Sequence, residues 1–198
     1  MRVHVVHAHP VETSYNRSLF HAACEALEAA GHEVDALNLY EENFEAVMSR
    51  EERLNYHDVP NNISDCLRPY VERLQAAEGI VFVHPVWNFG YPAILKGYFD
   101  RVFMPGVSFE MSDGPENGRL VPKLRKIRKA AFVTTYGGTR FRTIVMGDPP
   151  RLLAKRWGWV TFRGAPRPKY LALYDMNNNS PERLKAFQDK VRREMTRF

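Results

Sequence analysis

No apolar run in these 198 residues approaches the roughly 20 needed to cross a bilayer, which excludes a helix that spans one. The opening Met1-Arg2-Val3-His4-Val5-Val6 lacks the apolar stretch and small-residue cleavage pattern of a secretory leader. It reads as a first β-strand starting at once, and a cytoplasmic protein is expected. Cysteine is scarce. Cys24 and Cys66 are the only two, without C-x-x-C spacing and each in a segment that reads as helix, so two reduced thiols are expected rather than a disulfide. The first strand is not followed by a G-x-G-x-x-G turn, the phosphate loop of a dinucleotide-binding Rossmann domain. A G-x-S-x-G elbow is also missing, so hydrolase chemistry has no support.

Acidic residues are outnumbered, 23 against 28 Lys and Arg, for a formal charge of +5. Basic residues bunch at Arg119 to Lys129, through Lys123, Arg125, Lys126 and Arg128, and again at Arg192, Arg193 and Arg197. They could track phosphates, but no nucleic-acid motif accompanies them, and they read as a solvated loop and the outer face of a terminal helix. No nucleic-acid partner is expected. His4, His7 and His9 stand close in sequence, yet on a strand His4 points away from the other two, so no metal site is expected.

What the chain does have is alternation of short apolar runs with helix-period segments, the pattern of a parallel sheet covered on both faces. The strands are expected at Val3–Ala8, Val34–Leu39, Ile80–His84, Ala130–Thr135 and Tyr170–Leu173. Ile80-Val81-Phe82-Val83 and Ala130-Ala131-Phe132-Val133 are continuous rather than alternating, as doubly covered strands are. Helices are expected over Arg17–Ala30 with Gly31 beyond its end, up to Gly79, from Pro92, and from Ser180-Pro181 to about Met195. The segment Asn43–Asn62 reads as surface coil near the ligand, and Gly147–Arg151 as a turn of unknown role. One doubly wound α/β domain over residues 1–198 is expected, with its ligand outside the carboxyl ends of the strands.

Three loops lie there. His9-Pro10-Val11-Glu12-Thr13-Ser14-Tyr15-Asn16 brings hydroxyls and an amide to a helix N-terminus, either as an anion site or as a simple helix cap. Pro85-Val86-Trp87-Asn88-Phe89-Gly90-Tyr91-Pro92 sets aromatics and an amide at the tip of a buried strand. Those residues suit the faces and edge of a flat heteroaromatic ring, or a plug for the sheet end or a subunit contact. Thr134-Thr135-Tyr136-Gly137-Gly138-Thr139 offers hydroxyls and close backbone approach, or an ordinary turn.

Together with Pro92-Ala93-Ile94-Leu95-Lys96-Gly97-Tyr98-Phe99-Asp100-Arg101-Val102-Phe103, these loops resemble the flavodoxin-like NAD(P)H:quinone oxidoreductase family. The similarity runs from Arg2 to about Gly138. It includes animal quinone reductases and the ancillary reductases of bacterial potassium efflux. The resemblance implies a three-layer sandwich around a five-stranded parallel sheet of order 2-1-3-4-5. It implies bound FMN, with FAD as the alternative, NAD(P)H as co-substrate, a quinone or similar acceptor, ping-pong turnover and a homodimer with the flavin near the subunit boundary. The absence of the animal enzymes' long C-terminal extension favours FMN.

By the same resemblance His9, Ser14, Tyr15 and Asn16 match positions on the flavin's phosphate and ribityl side. Pro85, Val86, Trp87, Asn88 and Phe89 match the lining of the isoalloxazine, and Thr135, Tyr136, Gly137 and Gly138 a third binding loop. Two positions depart from the pattern. Trp87-Asn88 replaces a common glutamine and aromatic, shifting the edge contacts, and Tyr136 replaces a glycine, narrowing the site or shielding the ring. Residues 139–147 offer no counterpart to the tyrosine and histidine that assist hydride transfer in the animal enzymes, so no catalytic side chain carries over. A second reading is a regulatory or electron-carrier flavoprotein acting on a protein partner such as a membrane transporter; the basic surface argues mildly against a carrier.

Overall fold

The computed structural model describes residues 1–112 and 118–198. In chain order its elements are β1 (Arg2–His7), α1 (Tyr15–Ala29), β2 (Glu33–Asn38), α2 (Arg50–Leu54), α3 (Arg68–Ala76), β3 (Gly79–Val86) and α4 (Ala93–Val102). There follow β4 (Phe109–Met111), β5 (Leu120–Pro122), β6 (Lys129–Tyr136), α5 (Arg140–Val145), α6 (Pro149–Thr161), β7 (Lys169–Leu173) and α7 (Pro181–Thr196). The main sheet runs β2-β1-β3-β6-β7 with every pair parallel, which is order 2-1-3-4-5 among its five strands. β4 and β5 form a small antiparallel pair apart from it.

Apolar residues on successive strand positions feed two cores, one on each face of the sheet. Val81, Val83, Ala131 and Val133 pack with Leu19, Phe20 and Leu27 of α1 and Phe187 and Val191 of α7. Ile80, Phe82 and Phe132 face the other way, onto Leu74 of α3, Leu95, Tyr98 and Val102 of α4, and Ala154 of α6. The helix ends follow local chemistry: Ser14 and Ser180 accept from the backbone three residues on, and Gly31 takes the left-handed φ of 81° just past α1. Gly97 is required by a close approach, because a β-carbon there would collide with the Ala46 carbonyl.

Three expectations are corrected. Residues 43–62 are largely exposed turn and coil, but they hold a short helix, α2, and two side chains tie them to α4. Ser49 and Glu52 cap α2 reciprocally, Glu52 takes the buried Arg101 guanidinium at 2.5 Å, and Phe44 packs edge-on to Tyr70 and Tyr98. Of the turn expected at Gly147–Arg151, only Gly147 and Asp148 lie between the helices α5 and α6, and Pro149 to Arg151 open α6; the pattern of apolar residues hid these helices because α5 exposes Phe141, Ile144 and Val145. Cys66 sits in the turn before α3 rather than in a helix, and both cysteines are free. β3 also runs two residues further than expected, through Pro85 and Val86. β1 ends opposite Val83, so a residue without an N–H is tolerated there, beyond the end of that neighbour.

His4 and His7 face opposite sides of the sheet. His7 stacks on Phe20 at 4.8 Å, while His4 Nδ1 meets the Asp35 carboxylate at 2.8 Å and Nε2 the Tyr98 hydroxyl at 3.0 Å. Arg73 completes this cluster with Nε 2.9 Å from Asp35. Burial alone would raise the Asp35 carboxyl, but hydrogen bonds from His4 and Arg73, and their charges, hold it well below the usual carboxylate range. A depressed carboxylate stabilises the fold above its unfolded pKa and loses that contribution as pH falls toward the folded value. Stability is therefore expected to drop as pH goes below about 4. Asp35→Asn is expected to cost on the order of 2–3 kcal/mol at neutral pH and to flatten this acid limb, as read by urea melts at several pH values.

Candidate functional site

β1 and β3 lie side by side, but the chain leaving β1 turns to the α1 face and the chain leaving β3 to the α4 face. This reversal opens a crevice at the carboxyl edge of the sheet. Two contacts join the loops around it. The His9 and Trp87 rings lie 5.7 Å apart, and Asn16 Nδ2 reaches Thr135 Oγ1 at 3.4 Å.

In the first loop Ser14 Oγ accepts from Arg17 N at 3.2 Å, so the hydroxyl caps α1 while its proton remains available for donation. His9 Nδ1 accepts from Val11 N at 3.1 Å, and burial holds this ring below the usual histidine range, so it is neutral at neutral pH. Beneath the loop, burial and then Arg17 push His7 down to about 3. Asn16 is buried, and its Oδ1 has no hydrogen-bond partner among the described residues. Tyr15 departs from expectation: its phenol donates to the Leu184 carbonyl at 2.7 Å and docks α7, leaving only its backbone at the loop.

The second loop is a tight reversal. Trp87 N donates to Gly90 O at 3.2 Å and Gly90 N to Trp87 O at 2.9 Å, with Asn88 and Phe89 at φ 48° and 58° between them. Two successive left-handed residues make this a type I′ turn, where asparagine is at home and phenylalanine is strained. The turn lifts Trp87 to 41% exposure, while Pro85 stays buried in β3 and Val86 and Phe89 are half-buried.

In the third loop Thr135 is buried, a β-carbon on Gly137 would stand 3.6 Å from the Asn177 amide nitrogen, and Gly138 faces open space. A β-carbon on Gly138 would meet nothing within 4 Å. Tyr136 neither narrows the crevice nor shields it. Its ring is buried on the α6 face and stacks on Tyr174 at 4.5 Å, and its hydroxyl donates to Asp148 Oδ1 at 2.6 Å and meets the Tyr170 hydroxyl at 2.5 Å. Tyr174 donates to Asp148 Oδ2 at 3.2 Å. Burial, then Tyr170 and Asp148, push the Tyr136 phenol far up, so it remains a donor. Asp148 was invisible as a site-supporting residue, because its partners lie 12 and 26 positions away. This knot pins the start of α6 to the ends of β6 and β7.

A larger apolar cavity of about 590 Å³ lies elsewhere, lined by Tyr56, Phe99, Phe103, Phe109 and Trp157 and by no residue of the three loops. Beside the first loop is a small one of about 130 Å³, between His9, Arg17, Asn38 and Tyr40, with Arg17 paired to Glu41 at 2.6 Å. Among the described residues no group of three or more His, Cys, Asp or Glu could hold a metal ion, and no helix is long and apolar enough to cross a membrane.

The residues present fit a phosphorylated flavin. An orphaned buried amide oxygen calls for a donor such as a ribityl hydroxyl, the α1 N-terminus suits a phosphate, the Trp87 indole is exposed, and Gly138 leaves its backbone open. The strain in the second loop is testable without any ligand. Phe89→Val, β-branched in a left-handed position, is expected to be less stable than Phe89→Gly by about 1–2 kcal/mol in urea denaturation.

Against known proteins, a family model for the flavodoxin-like fold, Flavodoxin_2, matches residues 1–198. NAD(P)H dehydrogenase [quinone] 1 of Rattus norvegicus is 34% identical over 155 residues, covering 70% of this chain and 54% of that protein. The chain thus spans little more than half the length of that relative. The NAD(P)H:quinone oxidoreductase of Methanothermobacter marburgensis superposes with a TM-score of 0.82 at 25% identity, over 99% of this chain and 98% of that one. An FMN-dependent NADH-azoreductase from Bacillus anthracis, in complex with FMN, gives 0.75 at 18% identity over 99% and 98%, a likeness of fold alone. With a sheet order, a crevice and a family match over its whole length in agreement, the chain belongs to the Flavodoxin_2 family of flavodoxin-like proteins.

Proposed function

We propose that this chain is a flavin-dependent NAD(P)H oxidoreductase that uses bound FMN to reduce a quinone or a similar flat acceptor. The observation that carries the reading is the carboxyl-edge crevice, where three loops bring the orphaned Asn16 Oδ1, the exposed Trp87 and the open Gly138 backbone to one edge of the sheet. The rat and Methanothermobacter relatives, both named as NAD(P)H quinone enzymes, support the reaction class. The Bacillus anthracis neighbour supports FMN, as does the small cavity of about 130 Å³ beside the first loop, partly closed by the Arg17–Glu41 pair.

In this reading the backbone N–H groups at Tyr15 and Asn16, with the Ser14 hydroxyl, hold the phosphate at the positive end of α1, while the Ser14 N–H donates to the Val11 carbonyl. Asn16 and Thr135 bind the ribityl chain, and His9 stays neutral beside it. Pro85, Val86, Trp87, Asn88 and Phe89 line the ring on one side, and Gly137 and Gly138 approach it on the other. Tyr136 acts from behind, tying the third loop to Asp148. When bound, the flavin supplies a two-electron relay between nicotinamide and acceptor. The protein's part is to orient that ring and leave one face open, a face that nicotinamide and acceptor must use in turn.

The reading also includes a homodimer and a cytoplasmic location. The open apolar cavity walled by Phe99, Phe103 and Trp157 supports the dimer, being a surface a second copy would cover.

Sequential use of one face demands ping-pong kinetics. Initial rates with NAD(P)H varied at several fixed quinone concentrations are expected to give parallel double-reciprocal lines; intersecting lines would contradict the shared face. Asn16→Ala is expected to weaken FMN binding by about 1–2 kcal/mol in a fluorescence titration.

A further inference from the structure

Charge is segregated along this chain. Residues 118–174 hold fourteen of the 28 Lys and Arg but only one of the 23 Asp and Glu, so this segment carries +13 and the remainder −8. The one acid, Asp148, is engaged by Tyr136 and Tyr174. Among the described residues two of the fourteen bases stand in ion pairs, Lys123 with Glu110 and Lys169 with Glu194. The other basic cluster differs, since Arg192 pairs with Glu25 at 2.7 Å.

Six of the fourteen fall in residues 119–129 and three on α6, Arg151, Lys155 and Arg156. The inner side of this helix buries Pro150, Ala154, Gly158 and Thr161. Its outer side exposes Leu152, Arg156, Trp159 and Val160, with Arg163 just past its end, at spacings that put all five on one stripe. The guanidiniums of Arg163 and Arg167 lie over the Trp159 ring, 4.7 and 5.6 Å from its centre. Arg163 also belongs to an open groove of about 540 Å³, shared with Arg119 and Arg125.

A stripe of this kind limits its partner. Like charge opposes a second copy meeting it face to face. Apolar and cationic side chains alternate on it: Trp159 carries two guanidiniums, Arg156 lies one turn beyond Leu152, and the adjoining groove mixes Arg119, Arg125 and Arg163 with Leu120, Val121 and Pro122. Headgroup phosphates above acyl chains accommodate that alternation, and tryptophan and arginine are both suited to that boundary.

We propose that the outer face of α6 and the arginine groove beyond it are a docking surface for an anionic phospholipid bilayer. The binding is peripheral and reversible: guanidiniums meet phosphates while Leu152, Trp159 and Val160 enter the headgroup layer. Asp148, the residue just before α6, is tied to the third loop through Tyr136, so one end of this surface adjoins the candidate site.

The test is co-sedimentation of the purified protein, with whatever cofactor it carries, with vesicles of phosphatidylcholine alone or mixed with phosphatidylglycerol. Binding to the mixed vesicles at low salt is expected, with release at high salt, no binding to the neutral ones, and a blue shift of tryptophan emission that Trp159→Phe removes. Arg156→Glu with Arg163→Glu is expected to weaken binding about tenfold or more, while the paired lysine substitutions retain it. Equal binding to neutral vesicles, no binding, or undiminished binding by the charge-reversed variant would overturn the proposal. A change of oligomeric state on charge reversal would make the face a self-contact and overturn it too, as would salt-sensitive binding of an acidic protein without vesicle binding. Turnover with a water-soluble quinone on the same preparations reads the proposed reaction separately, and the charge-reversed variant is expected to keep it.

Discussion

The structure depends on one geometric constraint: adjacent parallel strands β1 and β3 must hand their chains to opposite faces of the sheet. The β1–β3–β6 ladder is held from both sides by Val, Ile, Leu and Phe side chains, so its carboxyl ends are fixed relative to one another. The crevice follows from the reversal, and the loops around it need only short reach. Asn16 touches Thr135 and His9 meets Trp87 because the ladder has already aligned the strands that carry them. Rigid strands with a strained turn at their tip are a way to hold a flat ligand without a deep pocket. Phe89 in the left-handed region is the point where fold stability yields to that geometry.

Most of this framework was legible in the sequence because it is written in local chemistry. Continuous apolar runs marked β3 and β6, serines marked the starts of α1 and α7, and Gly31 marked an end. What remained hidden depends on contacts between distant residues. The Glu52–Arg101 pair, 49 positions apart, turns an apparently loose segment into a strap on α4. α5 and α6 lack a clean buried stripe, since α5 is mostly exposed and α6 mixes exposed leucine, tryptophan and valine with arginine.

The candidate site was legible as three loops, but side-chain direction was not. Tyr15 and Tyr136 sit at loop positions, yet both phenols point away from the crevice, one to α7 and one to Asp148. Sequence position fixes which end of a strand a residue occupies; on which side its ring finds a partner depends on the far chain. Tyr136 also shows how a bulky residue is accommodated at the end of β6: its ring stacks on Tyr174 beneath the loop, and Gly138 keeps its backbone open.

The central claim is that this crevice holds a flavin. The most direct measurement is the visible spectrum of the protein purified without added cofactor, followed by chromatographic identification of any flavin released on denaturation and by titration with added FMN. The account predicts a yellow protein releasing FMN near one equivalent per chain, or an apoprotein that takes up one. A colourless protein that binds neither FMN nor FAD would contradict it, leaving the three loops as structural turns of a fold without its ligand.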